Sequence, residues 1–372
     1  MIKIGITGQA GFVGTHLYNT LGLFSEEFER INFKKEYFAN SNKLNEFVTQ
    51  CDIIVHLAAM NRHNDPQVIY DTNIDLVVKL IKSLEVASSK AHVLFSSSTQ
   101  EERDNLYGKS KKDGRELMMD WAKRTGGKFT GMIIPNVFGP FGHPNYNSVI
   151  ATFCHKLSQN DTPIIEVDVE MKLIYVGELV DAILSEIRSG QSNSEIAITH
   201  TSESKVSQLL LLLETYKEQY QDNGIIPTIN TRFELNLFNT FRCYMDIKNH
   251  FPVKFVEHTD PRGSFVEIIR LGVGGQVSFS TTVPGITRGN HYHTRKIERF
   301  AVIKGKALIQ LRRIGTDEVF DFYLDGNEPA YVDMPIWYTH NIKNIGEEIL
   351  YTNFWINEFY DPNDSDTFFE NV

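Results

Sequence analysis

Residues 285–305 read GITRGNHYHTRKIERFAVIKG. The stretch sets His291 and His293 either side of one residue, with Glu298 further on and glycines at 285, 289 and 305. β-Branched and aromatic residues flank this polar centre, which predicts two strands joined as a β-hairpin. On a strand, residues i and i+2 face the same way, so the His291 and His293 imidazoles share a face. Glu298 falls on the opposite face of an unbroken strand, so a bend or a turn must intervene if it joins them. A second cluster, PIWYTHNIKN, brings Pro335, His340 and Asn344 from a distant strand. Three imidazoles and a carboxylate suit Zn, Fe, Mn, Co or Ni with positions left open. His291, His293, Glu298 and His340 are therefore the candidate metal ligands.

From about Asp246–Pro252 to Trp355 the chain is almost all short strand patterns. They are separated by turn signals at Arg262-Gly263, Gly274-Gly275, Pro284-Gly285 and Asp325-Gly326. That predicts an all-β sandwich or barrel over residues 247–372. Residues 1–246 have another character. Ile2–Thr7, Glu29–Phe33, Ile53–Leu57, Val93–Ser96, Gly131–Pro135 and Ile174–Val176 read as strands, most of them apolar on both faces. Amphipathic segments such as Asp71–Ser89 and Lys109–Thr125 alternate with them, which predicts a doubly wound α/β parallel sheet. Val206–Tyr220 reads as a leucine-rich helix, and GPFGHPNY at Gly139–Tyr146 as a loop.

The turn after the first strand is Thr7-Gly8-Gln9-Ala10-Gly11-Phe12-Val13-Gly14. Glycines here let the backbone approach a pyrophosphate, and the helix N-terminus offers its amides to it. Leu57, Ala58 and Ala59 end a strand where a dinucleotide would pass. Ser96-Ser97-Ser98 end another. Tyr107 and Lys111 are an i, i+4 pair on one helix face, where the ammonium should lower the phenol pKa and let it exchange a proton. The second strand ends in Lys34-Lys35 rather than an acid, which favours the 2′-phosphate of NADP(H) over NAD.

The remaining composition narrows the function. The chain has 372 residues and a formal net charge of −10, which argues against a nucleic-acid partner. Its most apolar runs, such as Val206–Leu213, are shorter than the roughly 20 residues of a membrane span. The chain opens into a strand rather than a signal segment. Cys51, Cys154 and Cys243 lie far apart and form no disulfide set, so a reduced, cytoplasmic location is expected.

The N-terminal motifs resemble the extended short-chain dehydrogenase/reductase family, a Rossmann-like fold acting on nucleotide sugars. The resemblance covers roughly residues 1–245 and includes PNVFGP at 135–140. It implies Ser98, Tyr107 and Lys111 as the catalytic set, with Ser97 and Thr99 as alternative hydroxyls, and Asn136 against the substrate. Ile133 departs from the family's arginine. The pattern G-x5-H-x-H-x4-E-x6-G followed by P-x4-H-x3-N resembles the cupin barrels, with Trp337 where glycine is usual. DPRGSF at 260–265 and RGNH at 288–291 resemble the dTDP-4-keto-6-deoxyglucose epimerases, which implies Arg262 and Arg288 as diphosphate contacts. His293 and Tyr338 are candidate proton carriers.

Together the halves resemble the bifunctional capsular polysaccharide synthesis enzymes. That implies a UDP-4-keto-6-deoxy-N-acetylhexosamine substrate, epimerised at C3 by the cupin and reduced at C4 with NADPH. The implied product is UDP-2-acetamido-2,6-dideoxy-L-talose, on the route to UDP-N-acetyl-L-fucosamine. Zinc is the expected metal, and a homodimer through the cupin strands is the expected assembly. The competing arrangement is a single-function reductase whose C-terminal domain only binds substrate or dimerises.

Overall fold

The computed structural model describes residues 1–372. The chain divides into two compact units, Met1–Thr152 with Ile165–Val206, and Phe153–Ile164 with Ser207–Val372.

The first unit is built on a six-stranded sheet in the order Phe28–Ile31, Ile2–Thr7, Ile53–His56, His92–Ser98, Phe129–Ile134, Asn193–Ala197. Every neighbouring pair is parallel. Because strand side chains alternate, each strand feeds two cores. Ile4, Ile6, Val55, Leu94 and Met132 pack with Leu17, Leu21 and Ile183 on one face. Ile54, Val93 and Phe95 pack with Phe47, Leu80 and Trp121 on the other. Helices on both faces make this the doubly wound α/β layer expected.

Several elements differ from the sequence expectation. Asn193–Ala197 (NSEIA) lacks the apolar run of a buried strand and escapes pattern reading. The segment expected as strand Ile174–Val176 is Glu170–Tyr175, and it lies in a separate small sheet with Asn136–Phe138 and Ser202–Lys205. The helix expected from Lys109 begins at Leu106, because the Asn105 side chain caps it by accepting from Gly108 N at 2.7 Å. That cap places Tyr107 in the first turn.

The second unit contains two five-stranded antiparallel sheets. One has the order Val253–Lys254, Ala330–Met334, Glu298–Lys304, Leu350–Ile356, Gln276–Thr282. The other runs Val319–Asp325, Lys306–Arg313, Tyr338–Asn344, Thr287–Tyr292, Phe368–Phe369. The expected hairpin at 285–305 is therefore not formed. Thr287–Tyr292 pairs with Tyr338–Asn344, whereas Glu298–Lys304 pairs with Ala330–Met334 and Leu350–Ile356. The chain between them crosses from one sheet to the other. Period-2 patterning identifies each strand but not its partner.

The compact units divide near Val206, on the N-terminal side of residues 246/247. Val206–Tyr216 is α-helical, a wider π turn follows at Lys217–Asp222, and Arg232–Arg242 is helical again. These segments are tied to the C-terminal strands by a buried polar network. Asp333 is fully buried and receives Arg299 through two hydrogen bonds of 2.7 and 2.9 Å. The Tyr220 hydroxyl donates to the same carboxylate at 2.8 Å, and Arg242 donates to Tyr220 Oη at 3.2 Å and to the Met334 carbonyl at 2.9 Å.

Removing one member of a buried ion pair leaves the other uncompensated. Asp333→Ala should lower stability by about 3–5 kcal/mol, against ~1 kcal/mol for Tyr220→Phe. Urea unfolding of the two variants checks this, and equal midpoints would remove the network from any structural role.

Candidate functional sites

The turn after the first strand is shaped by steric limits. Gly8 has φ +79°, and a Cβ on Gly14 would stand 2.2 Å from the Gly8 carbonyl oxygen. Only glycine fits there. The Gly11 amide donates to the Gly8 carbonyl at 2.9 Å, so the turn leads directly into the helix Phe12–Gly22.

This turn opens onto a cleft of about 800 Å³ at the carboxyl ends of the strands. Gly8, Gly11, Phe12, Val13, Gly14, Leu57, Ala58 and Ala59 line it, together with Ser98, Tyr107, Lys111 and Asn136. Lys34 does not; it is exposed and starts a short 3-10 turn after the second strand.

The hydroxyls of Ser96, Ser97, Ser98 and Thr99 are separated by their partners and positions. Ser96 Oγ donates to the His56 carbonyl at 3.0 Å. Ser97 Oγ donates to Glu101, which is also held by Arg115. Ser98 Oγ, in the cleft wall, accepts from Gln100 N at 3.2 Å and keeps its proton free to donate. Thr99 is absent from the cleft wall. Asn136 donates Nδ2 to the Lys172 carbonyl at 3.2 Å, leaving its amide oxygen as an acceptor.

Lys111 Nζ is buried and donates to the Ser96 carbonyl at 2.8 Å. Burial lowers its pKa to about 8, against the opposing charge of Glu101. The expectation that Lys111 depresses the Tyr107 phenol is not met. Burial, with Tyr146 beside it, pushes Tyr107 up to about 12. The ammonium sits 5.9 Å from the centre of the Tyr107 ring and is spent on Ser96, so desolvation wins.

In the second unit the crossing between sheets delivers the metal-ligand set. One ligand atom each from His291, His293, Glu298 and His340 lies within 4.8 Å of the others. The bend required to bring Glu298 round is residues 293–297. His293 Nδ1 donates to the Asp366 carbonyl at 2.6 Å, and His340 Nδ1 to the Tyr338 carbonyl at 3.2 Å. Their Nε2 atoms then point at Glu298 Oε2, at 3.2 and 3.1 Å. His340 Nε2 is buried without a hydrogen bond. Lone pairs and a carboxylate that converge in this way need extra protons or a shared cation between them. The donor set fits a divalent metal, and backbone carbonyls orient two of the imidazoles as outer-shell partners do.

The electrostatics agree. Burial opposes ionisation of Glu298, but His293 and His340 outweigh it and hold the carboxyl well below the usual range. Burial, followed by the charge of His340, lowers His291 to about 4. Burial also acts downward on His293, yet its bond to Glu298 leaves it raised.

Other predicted residues stand apart from the cluster. Tyr338 is buried, which raises its phenol, and the further groups acting on it are Cys243, Arg313 and Glu318 rather than the histidines. Arg262 lies in the exposed hairpin formed by Glu257–Asp260 and Gly263–Val266 and is paired with Asp260 at 2.5 Å. Arg288 is exposed on the same strand as His291. Trp337, at the position where glycine is usual, has φ +62°.

Residues 4–198, more than half of the chain, match the NAD dependent epimerase/dehydratase family. The chain belongs to that family. Residues 258–368 match the polysaccharide biosynthesis C-terminal domain. Over its full length this epimerase/dehydratase family member is similar to the capsular polysaccharide assembling protein CapF from Staphylococcus aureus. The identity is 34%, both chains are covered completely, and the TM-score is 0.62. CapF with the inhibitor 3-isopropenyl-tropolone matches at 30% identity and TM-score 0.59, again over both whole chains. The UDP-2-acetamido-2,6-beta-L-arabino-hexul-4-ose reductase of Pseudomonas aeruginosa (strain PA103) is 30% identical over 99% of this chain and 98% of its own.

Glu101, Arg115 and Asp366 shape the two sites without any sequence motif to mark them. Arg115 alone carried a signal, since it lies one turn beyond Lys111 on the same helix.

Alanine at Gly14 should push the turn apart and weaken dinucleotide binding about tenfold or more, or ~1.4 kcal/mol. Fluorescence titration with NADPH reads this directly. Unchanged affinity would mean that the turn is not the pyrophosphate seat.

Proposed function

We propose that the chain is a bifunctional nucleotide-sugar enzyme. Its C-terminal unit, read as a cupin barrel, epimerises C3 of a UDP-4-keto-6-deoxy-N-acetylhexosamine. Its N-terminal unit then reduces the C4 ketone, giving UDP-2-acetamido-2,6-dideoxy-L-talose on the route to UDP-N-acetyl-L-fucosamine for a surface polysaccharide. One observation carries the reading: a chain with a Tyr107–Lys111 cleft also holds a buried His291, His293, Glu298 and His340 cluster. The names of the CapF and reductase relatives support the capsule-polysaccharide and 4-ketosugar-reducing parts of this reading. Tropolone carries two adjacent oxygens of chelating geometry, so its use as a CapF inhibitor accords with a metal at such a cluster.

In the epimerase step a base removes the C3 proton, the electron pair moves onto the C4 oxygen, and a donor on the opposite face returns a proton to C3. A divalent metal, zinc in this reading, would supply Lewis acidity at that oxygen when held by the four ligands. His293 serves as a proton carrier if it is released from the ligand set. Tyr338 remains a second candidate, its phenol buried and therefore kept protonated. Arg288 is the better placed diphosphate contact, because Arg262 is already engaged by Asp260.

In the reductase step the cofactor, NADPH in this reading, would supply the hydride to C4. Tyr107 gives its proton to the new alkoxide, Ser98 holds that oxygen, Lys111 keeps the local potential positive, and Asn136 faces the sugar. Lys34 and Lys35 suit a 2′-phosphate at the end of the second strand. The exposed edge strand Gln276–Thr282, with Val277 and Phe279 outward, supports pairing of two chains through the C-terminal unit. Three free thiols accord with a cytoplasmic setting.

The deciding experiment is proton NMR of the 4-keto UDP-sugar with the protein in D2O, without NADPH. Deuterium is expected at C3 with the wild type and with Tyr107→Phe, and is lost in His291→Ala. No exchange at C3 with the wild type would refute the epimerase step and leave a plain reductase.

A pH profile tests the other half. With its pKa at about 12, Tyr107 stays protonated at neutral pH, while Lys111 loses its charge above about 8. The kcat/KM for reduction should therefore hold below pH 8 and fall above it. Lys111→Arg should remove that limb, and Tyr107→Phe should cost roughly 10²–10⁴-fold at every pH.

A further inference from the structure

The bend from His293 to Glu298 has no ladder of its own, because its two ends belong to different sheets. Its amides are collected instead by one side chain near the C-terminus. The Asp366 carboxylate accepts from Thr294 N at 3.1 Å, Arg295 N at 3.0 Å and Lys296 N at 3.1 Å. It also accepts from Thr294 Oγ1 at 2.6 Å. The Asp366 backbone carbonyl takes the Nδ1 proton of His293 at 2.6 Å. Asp366 is buried and has φ +43°, a left-handed conformation that aims both its side chain and its carbonyl at the bend.

The neighbouring tail reinforces this contact. Arg295 pairs with Glu358 at 3.1 Å and with Asp364 at 2.9 Å. Lys296 Nζ donates to the Ser365 carbonyl at 2.9 Å. Beyond Asp366, Phe368–Phe369 adds a short strand beside His291 and Tyr292.

From this geometry we infer that Asp366 is a positioning residue for the His/Glu cluster. Its carboxylate sets the spacing between His293 and Glu298, and its carbonyl sets which His293 nitrogen faces the cluster. The effect passes through the ligands, since Asp366 is not one of the four. The inference rests on the reading that the cluster binds a divalent metal.

Cobalt(II) titration of the full chain tests it, with visible d–d absorption reporting geometry and ligand number. NADPH binding to the N-terminal cleft and far-UV circular dichroism report folding independently. The wild type should take up one Co(II), and His340→Ala should abolish its spectrum. Asp366→Ala should bind roughly 10–100-fold more weakly, the loss typical of an outer-shell partner, with a shifted band. Asp366→Asn keeps the volume and one acceptor for Thr294, so it should fold even if alanine does not. It should still weaken the site, because its amide presents donors to the Arg295 and Lys296 amides. Asp364→Ala, which removes one exposed partner of Arg295, should match the wild type.

Asp366→Asn with wild-type affinity and spectrum would overturn the inference. Equal weakening by Asp364→Ala would overturn it too, by assigning the effect to a loosened tail. If the wild type takes up no cobalt, the metal reading fails and the inference falls with it, an outcome distinct from wild-type uptake unchanged by the Asp366 variants.

Discussion

Glu298 is a carboxylate buried at the start of a central strand, and much of the second unit answers to that fact. Removing an ion from water costs several kcal/mol unless paired groups surround it. His293 from the crossing bend and His340 from the other sheet supply that surrounding, each turned by a backbone carbonyl so that Nε2 meets the carboxylate. Trp337 shows how tightly the surroundings are drawn. A non-glycine residue at φ +62° costs roughly 1–2 kcal/mol. It persists because its amide donates to the His293 carbonyl at 2.8 Å, its carbonyl accepts from Ile314 N at 2.9 Å, and its ring stacks on Tyr292 at 5.7 Å. A strained turn is thus fixed beside the strands that carry the ligands.

The first unit places charge in dry surroundings by a different route. Lys111 is a buried cation with a carbonyl partner and no contacting carboxylate, which is why burial lowers its pKa. His56 lies below it, bonded to Thr7 at 2.7 Å and stacked on Phe95 at 5.5 Å. Burial and the charge of Lys111 drive His56 down to about 3, so it stays neutral and serves the packing of the strand ends. Glu101 is held by Arg115 and receives Ser97, so the carboxylate and that hydroxyl are engaged with each other. Ser98, Tyr107 and Lys111 are left in the cleft wall without acidic partners.

The sequence discloses those parts of this architecture that depend on near neighbours. Alternating Ile4, Ile6 and Val55 announce strands, the glycines at 8, 11 and 14 announce a turn that no Cβ can enter, and Tyr107 with Lys111 announces one helix face. Ligand types at His291, His293, Glu298 and His340 were legible because each identity carries its own chemistry. Partner choice was not. The same alternation that predicts the two strands of 285–305 is compatible with a hairpin or with a crossing between sheets, and only long-range packing distinguishes them. Asn193–Ala197 is a polar edge strand, and Asp366 acts through its φ and its backbone. Lys34, read as a cofactor contact, depends on where a short 3-10 turn points it. The buried network round Asp333 was not legible either, since Tyr220 and Arg242 come from far along the chain.

In the proposed chemistry the two units face opposite demands, and these fix the order of events. A proton on C3 is acidic only while C4 is a ketone, because the carbanion formed must delocalise onto the C4 oxygen. Reduction destroys that activation, so inversion has to precede hydride transfer. The first site must therefore stabilise negative charge on the ketone oxygen without protonating it for good. A buried cluster whose carboxylate stays ionised among imidazoles suits that task, since it would hold a cation rather than offer a strong acid. The second site must protonate the same oxygen once hydride has arrived. Tyr107 meets that demand because burial keeps its phenol protonated at neutral pH, while Lys111 supplies the positive potential that favours the alkoxide until the proton moves. The raised phenol pKa, unexpected from the Tyr-Lys spacing, is thus the condition suited to reduction rather than to oxidation.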